Sequence, residues 1–470
     1  MQHPIFRILK NTGSLTLANV FGRLLNFVVV AILIRSVGTE GFGGYATAVA
    51  VSGYFLILAD IGLAGRLVRQ AAAFPDSESD EYSHSMGIKL VTTALCVVVL
   101  VILAYVLPYE RWVKELFILL TVSNLIRSYS QLNHAIFRAR ERMELEALST
   151  CVQAVIYSSA VALLLLGFPI IIVGWASVAS VSAQLILNFV IVRRFIPIRI
   201  TLPPHWATLR NTAPYTAAAV AESAFLQSDI VVLSFIASQS LIGEFASVSR
   251  LLAVVAVFPL FLNHSIMPIW SRVFGRDDPL LFRKITTTSL QMLTIIAGAS
   301  VVGLAALSKL VLHLVYGEGF EELSTLLVVG AVYLLFHFMN FGISVPIVSS
   351  GRQVIRAQSM TIGVFVKIGL ILAITPSFGA IGAMIALVIA EATVMLLQAY
   401  RIREVIEMGL LAKTWAWVVG GIGISLLLYS ELLSQGSEWL AATLPILLYA
   451  TLIFVSKDVP KLIAVIKESR

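Results

Sequence analysis

Apolar segments of about 20 residues recur along the whole chain and are separated by short polar connections. A helix of that length crosses the hydrocarbon core of a bilayer, which is roughly 30 Å thick. The chain is 59% apolar and only 13% charged, whereas soluble domains are about 25% charged. We therefore predict an all-α, polytopic membrane protein with about 14 transmembrane helices. The predicted spans are 14–35, 43–64, 86–107, 114–136, 148–167, 170–192, 213–236, 242–264, 286–307, 322–346, 356–375, 378–400, 414–433 and 438–456.

Basic residues mark one side of these spans. If the N-terminus is inside, 24 of the 33 Lys and Arg residues fall in the inside segments. The outside segments hold only Arg35, Arg111, Lys114 and Lys309. Because positive loops stay on the cytoplasmic side, we predict that both termini are cytoplasmic. The net charge of +7 then reflects membrane topology, and no nucleic-acid partner is expected. No small-residue cleavage site follows the basic start, so no removable signal peptide is expected.

The chain also contains a weak internal repeat. The motif Gly43-Gly44-Tyr45-Ala46 opens span two, and Gly243-Glu244-Phe245-Ala246 opens span eight, 200 residues later. Because the offset corresponds to six spans, both copies have the same orientation. Chance similarity is the alternative, but a second pair of matching turns, after spans four and ten, favours a repeat. Repeats of this kind commonly flank a central transport site.

Ionisable residues within the spans are candidates for function. A charge in hydrocarbon costs at least about 2.5–3.5 kcal/mol, so such residues face the protein interior, pair, or line a water-filled path. The hairpin of spans seven and eight carries Glu222, Asp229 and Arg250. Glu222 and Asp229 are seven residues apart and share one helix face. The candidates for ion coupling are these two carboxylates and Glu391 in span twelve.

Cations recur in the other spans. Arg23 and Asn26 belong to a polar stripe of span one, and Arg23 lies about 13 Å past the inner edge. Arg127 lies in span four and Lys367 in the middle of span eleven. We predict that these four residues and Arg250 line a substrate translocation cavity.

Two further polar residues have bonding roles in this interpretation. Asp60, near the cytoplasmic end of span two, is expected to pair with Arg66 in a structural or gating role. His337, in a polar stripe of span ten, is expected to be hydrogen-bonded within the bundle and not to act as a ligand.

Several kinds of chemistry are missing from the chain. No lysine follows a glycine, so there is no GK[ST] phosphate loop and ATP is not expected to be hydrolysed. The motifs HExxH and GxSxG are absent, and Cys96 and Cys151 lack metal-ligand spacing. We expect no cofactor, no metal site and no enzymatic activity. The remaining energy sources are an ion gradient, the membrane potential or the gradient of the substrate itself.

Three segments carry a family resemblance: RSVGTEGFGGYATA after span one, Asp60-Ile61-Gly62-Leu63 at the end of span two, and SDIVVLSFIASQSLIGEFASVSRLL. They resemble the Wzx-type polysaccharide flippases, which belong to the polysaccharide transporter family of the multidrug/oligosaccharidyl-lipid/polysaccharide (MOP) superfamily. That family typically has an aspartate in span seven and a Gly-x-aromatic-Ala…Arg-Leu opening of span eight. The matching residues are Asp229, Gly243, Phe245, Ala246, Arg250 and Leu251. Gly22-Arg23-Leu24-Leu25-Asn26-Phe27 also resembles the span-one motif of lipid II flippases, whose arginine lines the central cavity; the analogy extends to Arg23 alone.

The resemblance implies a MATE-like arrangement with two six-helix lobes, at 1–200 and 201–405, and two extra C-terminal helices at 406–470. It implies a flippase that moves an undecaprenyl-pyrophosphate-linked oligosaccharide to the outer leaflet by alternating access, for O-antigen, lipopolysaccharide or exopolysaccharide synthesis. The implied location is the bacterial inner membrane. The expected partners are the lipid-linked oligosaccharide, a proton or sodium ion and a polysaccharide polymerase, with the protein itself a monomer.

Two rival functions remain at this stage. A cation-coupled multidrug antiporter of the same superfamily typically has twelve spans, which disfavours it. A polysaccharide polymerase or ligase usually has a long external loop with basic residues, whereas the predicted external loops here are short.

Overall fold

The computed structural model describes residues 4–197, 199–201, 206–260 and 278–455. These residues form helices and short connections, and no strand occurs among them. The helices are α1 (Pro4–Asp60), α2 (Leu63–Ala73), α3 (Glu78–Val106), α4 (Arg111–Ala139), α5 (Met143–Val161), α6 (Ile171–Val192), α7 (Trp206–Ile236), α8 (Gln239–Val255), α9 (Pro279–Ala306), α10 (Ser308–Tyr316), α11 (Ser324–Ala331), α12 (Tyr333–Ser349), α13 (Gln353–Arg401), α14 (Met408–Ser434) and α15 (Glu438–Val455).

The two longest helices, α1 and α13, are each broken once at a glycine. Gly38 has φ 67° and ψ −172°, and Gly379 has φ 58° and ψ −141°. Glycine adopts these angles readily because it has no Cβ atom to clash with the backbone. Each broken helix therefore accommodates two of the predicted spans.

Each of the fourteen predicted spans overlaps a described helix or one half of a broken helix. By length and hydropathy, nine helical stretches of the described residues could cross a membrane, and the two broken helices are among them. The prediction of an all-α, polytopic fold is confirmed. The predicted cytoplasmic termini include residues 1–3 and 456–470, which lie outside the described residues.

The chain divides into two compact units. The first contains residues 1–234 and 238–243, and the second contains 235–237 and 244–470. Helix α7 belongs almost entirely to the first unit. The lobe boundaries at residues 200 and 405 follow the six-span repeat and stay a prediction.

Each unit has its own apolar core. In the first unit, Leu67, Ile136 and Val192 join α2, α4 and α6 and are almost completely buried. In the second, Leu290 and Ile343 join α9 and α12. Helix outer surfaces remain apolar, as expected for residues in contact with lipid acyl chains. These cores hold the helices that carry the polar residues described next.

Candidate functional site

Arg127 lies on α4 deep among the atoms of the first unit, yet its side chain is partly accessible to water. That combination is expected of a residue that lines an internal water-filled space. Tyr45 on α1 and Tyr157 on α5 interact with it electrostatically, and their hydroxyl oxygens lie 3.3 Å apart. Within the described part of the chain, no carboxylate forms an ion pair with Arg127. Its guanidinium group is therefore available to an anion.

Arg23 and Asn26 lie on one face of α1 and are exposed. Leu24 and Val28, on the opposite face, are 62% and 51% exposed. Arg23 precedes the break at Gly38 by 15 residues, or about 22 Å along the helix. A guanidinium at that depth needs water or a polar partner, whereas the leucine and valine suit lipid. The two faces are thus chemically distinct.

The predicted cavity cations of the second unit differ in their surroundings. Arg250, on α8, is partly accessible and interacts electrostatically with Tyr316. The hydroxyl of Tyr316 donates a hydrogen bond to the carbonyl of Ser247 over 2.8 Å, which holds the ring beside α8. Lys367, on α13, has 0% exposure and is enclosed by protein. Of these two cations, only Arg250 is accessible to a substrate in this arrangement.

Two of the predicted ion-coupling residues lie on α7. Glu222 is partly accessible, and Asp229 is 7% exposed. The Oδ1 atom of Asp229 accepts a hydrogen bond from the backbone nitrogen of Ile230 over 2.9 Å. Tyr54 on α1 interacts electrostatically with the Asp229 carboxylate. The structure thus holds Asp229 in a polar setting inside the first unit.

Glu391, the third of these residues, lies in a compact polar cluster of the second unit. Its Oε1 atom is 3.0 Å from Nδ1 of His337, and Oε2 accepts from the side-chain nitrogen of Asn340. The hydroxyl of Tyr333 lies 2.8 Å from the same His337 nitrogen, and the Tyr333 and His337 rings are stacked with centroids 4.9 Å apart. The expectation that His337 is hydrogen-bonded within the bundle is confirmed.

The predicted pair of Asp60 and Arg66 is wrong. Asp60 accepts from the ammonium group of Lys89 over 2.7 Å, and Lys89 has 0% exposure. Arg66 pairs with Glu81 over 3.0 Å. The two residues after Asp60 both have positive φ angles, so α1 ends there and α2 leaves in a new direction. Residues six apart in the sequence therefore point to different neighbours on α3.

Three partners in these clusters were missed at the sequence level: Lys89, and the tyrosines beside Arg127. Lys89 is the single basic residue of an apolar segment, and this signal predicts a buried carboxylate partner. Tyr45 belongs to the repeated glycine-aromatic-alanine motif, where it was noted only as part of the repeat. No local signal identifies Tyr157, because its proximity depends on the packing of α5 against α1.

Comparison with protein families and curated proteins identifies relatives of this chain. Residues 8–274 match the family described as polysaccharide biosynthesis protein. The chain is 19% identical over 404 residues to the probable low-salt glycan biosynthesis flippase Agl15 of Haloferax volcanii. That alignment covers 83% of this chain and 82% of the relative.

Solved structures share the fold at low sequence identity. A structure of the lipid II flippase MurJ, in an inward closed conformation, has a TM-score of 0.73 and 16% identity, and the match covers 94% of this chain and 99% of that one. A multidrug resistance MATE family transporter of the MOP superfamily, in an inward-facing conformation, has a TM-score of 0.66 and 14% identity, over 82% of this chain and 94% of that one. The predicted MOP-like fold is confirmed. The chain is a multi-pass membrane protein, and the expectation that it is not an enzyme agrees with these relatives.

Proposed function

We propose that this chain, which belongs to the family of polysaccharide biosynthesis proteins, is a flippase for a lipid-linked oligosaccharide. Its substrate is a glycan repeat unit on an undecaprenyl pyrophosphate carrier. The protein moves it from the cytoplasmic to the outer leaflet of a bacterial inner membrane, and the glycan is used for a surface polysaccharide. Both termini then lie in the cytoplasm.

The observation that carries this proposal is the setting of Arg127. A guanidinium group that is partly accessible, that interacts with two tyrosines, and that has no carboxylate paired with it among the described residues suits an anionic ligand. Arginine binds phosphate oxygens through two parallel N–H groups, which fixes the orientation of the ligand as well as its position. A pyrophosphate supplies such oxygens, and the tyrosines supply further hydrogen-bond donors.

Other cations support the same assignment. Arg23 and Asn26 present a polar face on α1, and Arg250 is partly accessible on α8. Accessible arginines attract an anionic headgroup and repel cationic drugs, so they favour the flippase over the multidrug antiporter. The apolar face of α1 beside Arg23, which includes Leu24, suits the acyl environment in which the isoprenoid tail remains.

Alternating access provides the cycle. The headgroup enters from one side of the membrane and leaves on the other, while the tail stays in the lipid. The protein needs no cofactor or nucleotide for these steps. A monomer is sufficient, and a polysaccharide polymerase that consumes the flipped repeat unit would draw the cycle forward.

A leaflet-accessibility assay tests this function. The full-length protein is reconstituted into proteoliposomes that contain lipid-linked oligosaccharide on the inner leaflet, and its appearance outside is measured with a membrane-impermeant lectin. We expect Arg127→Ala to slow the appearance at least about tenfold, because one bidentate charged contact contributes about 1.5–3 kcal/mol.

The matched control is Arg111→Ala, on the same helix. Arg111 has a side chain that is 94% exposed and is paired with Glu115, so its loss leaves flipping unchanged. Equal rates for Arg127→Ala and wild type contradict the assignment of Arg127. Failure of the wild-type protein to move the oligosaccharide, with MATE substrates transported instead, contradicts the flippase.

A further inference from the structure

The cluster around Glu391 is not needed to bind a pyrophosphate, and it lies deep in the second unit. The Glu391 side chain is 4% exposed. Counted along α13, Glu391 is 12 residues from the break at Gly379 and 10 residues from Arg401, or about 18 Å and about 15 Å. It therefore lies near the middle of a membrane span. Ionisable residues at such depth usually belong to ion pathways or proton relays.

The hydrogen bonds of His337 define two positions for one proton. Its Nδ1 atom faces Oε1 of Glu391 at 3.0 Å and the hydroxyl oxygen of Tyr333 at 2.8 Å, and it can carry at most one hydrogen. When Nδ1 carries the hydrogen, it donates to the carboxylate. When it does not, its single lone pair accepts from Tyr333 or from Glu391, and because a carboxylate oxygen beside that lone pair is unfavourable, Glu391 is then a neutral carboxylic acid.

Binding of one proton changes the charge of the cluster. A neutral imidazole beside a carboxylate has a net charge of −1. One added proton produces either an imidazolium–carboxylate pair or an imidazole beside a carboxylic acid, and both have zero net charge. A net charge is costly in the membrane interior. The state with a net charge of −1 therefore favours polar surroundings, whereas the neutral state tolerates apolar ones, so the two protonation states favour different conformations.

The arrangement favours a proton over sodium. A hard metal cation is bound by several oxygen atoms. Here both oxygens of Glu391 face nitrogen atoms, and Asn340 also donates to the backbone carbonyl of Glu391 over 2.9 Å. A cation would have to displace these donors. A proton needs only one of the existing hydrogen bonds.

A further acceptor lies next to the cluster. The side-chain oxygen of Asn340 is buried and accepts no hydrogen bond from the described residues. Since the nitrogen of this amide is directed at the Glu391 carboxylate, the amide orientation is set by its partner and the oxygen points elsewhere. A buried acceptor without a donor suits a water molecule, which is the carrier that a proton path requires.

Among the described residues, few other titratable groups face the pair. Helices α11 and α12 pack against α13, and α9 packs against α12; the titratable residues of α9, Arg283 and Lys284, lie in its first two turns. Helix α11 has no titratable residue, and α12 contributes only Tyr333 and His337. On α13 itself, the fully buried Lys367 is also 12 residues from Gly379, on the other half of the helix, and so lies at a similar depth. Among the described residues, His337 and Glu391 are therefore the hydrogen-bonded pair that can exchange a proton in this region.

We propose that the His337–Glu391 pair binds one proton and couples its movement across the membrane to the transport cycle. The coupling rests on the proposed flippase function, whereas proton binding can be measured without any glycan. Tyr333 and Asn340 position the pair, and the exchange of one proton switches the cluster between its two charge states.

The first experiment measures proton binding alone. Infrared difference spectra of the purified full-length protein in nanodiscs are recorded between pH 5 and 8, a range that brackets the ordinary titration of histidine at roughly pH 6.5. They report both the carboxylic acid stretch and the imidazolium ring modes.

We expect Glu391→Gln to remove a carboxyl band and shift the imidazolium titration, and His337→Gln to shift the carboxyl band to another pH. Glu431→Gln, at an exposed position of α14, is the control and leaves these bands unchanged. Spectra of both cluster variants that match the wild type overturn the site.

The second experiment measures coupling in the lectin assay. With one proton exchanged per glycan, a gradient of one pH unit shifts the distribution of glycan between leaflets by up to about tenfold. We expect this shift in the wild type and its loss in Glu391→Gln, which still equilibrates the glycan. A response to sodium but not to protons overturns the proton assignment, and an even distribution under every gradient overturns the coupling while the flippase stands. If the wild type moves no glycan, the coupling and the proposed function are overturned together, and the spectra alone decide proton binding.

Discussion

Gly43 and Gly243 are packed against each other's helix starts. A Cβ atom at Gly43 would lie 2.9 Å from the backbone nitrogen of Gly243 and would overlap the carbonyl of Gln239. A Cβ atom at Gly243 would overlap the carbonyl of Thr39. The two positions of the repeat, 200 residues apart, therefore meet through equivalent backbone surfaces, and glycine is required at both because nothing larger fits.

The first prediction concerns this contact. Gly43→Ala should lower the free energy of unfolding by about 1–3 kcal/mol, since the added methyl group forces two backbones apart. Thermal unfolding in detergent measures the change. Gly65→Ala on α2 is the control, because its Cβ would meet no atom within 4 Å. If the two variants unfold at the same temperature, the close approach of the helix starts is incorrect.

The second prediction concerns the same turns. The hydroxyl oxygens of Thr39 and Ser240 lie 3.4 Å apart, so cysteines at both positions are within reach of a disulfide. In a background with Cys96 and Cys151 replaced by serine, Thr39→Cys with Ser240→Cys should form a crosslink that a shift in electrophoretic mobility detects. Thr39→Cys alone, which has no second thiol to pair with, should form no such crosslink. Free thiols in the first pair under oxidising conditions contradict the contact.

The third prediction concerns the buried pair of Asp60 and Lys89. Asp60→Asn leaves the Lys89 ammonium group enclosed without a countercharge, which should cost about 3–5 kcal/mol of stability. The double variant Asp60→Asn with Lys89→Met removes both charges and should recover most of the loss. Glu115→Gln breaks an exposed pair and should change little. A double variant less stable than Asp60→Asn argues against this ion pair.

The fourth prediction concerns the arginines in living cells. Arg23→Ala and Arg250→Ala should each reduce surface glycan at least about tenfold while the amount of protein in the membrane stays constant, because the proposed function assigns phosphate binding to each guanidinium. Lysine at either position should retain part of the function, since it keeps the charge but not the bidentate geometry. Immunoblots of membranes and glycan staining measure the two quantities. Normal glycan with both alanine variants argues against a role of these arginines in substrate binding.

The fold class and the positions of the apolar spans could be predicted because they depend on local properties of the chain. A run of about 20 apolar residues must form a helix in lipid whatever its neighbours are, since its backbone polar groups have no other partner. The spans predicted at 14–35 and 43–64 lie on either side of Gly38 for this reason. The same reasoning identified Arg23, Asp229 and Glu391 as polar residues in apolar surroundings.

The partners of those residues could not be predicted in the same way. Asp60 pairs with Lys89 and not with Arg66, and Glu391 meets His337 on a helix 54 residues away. A partner depends on how each helix is rotated about its axis and how far it slides along its neighbour. Those two quantities are determined by the packing of whole apolar surfaces, so the sequence determined which residues must find partners, and only the tertiary structure decided which partners they found.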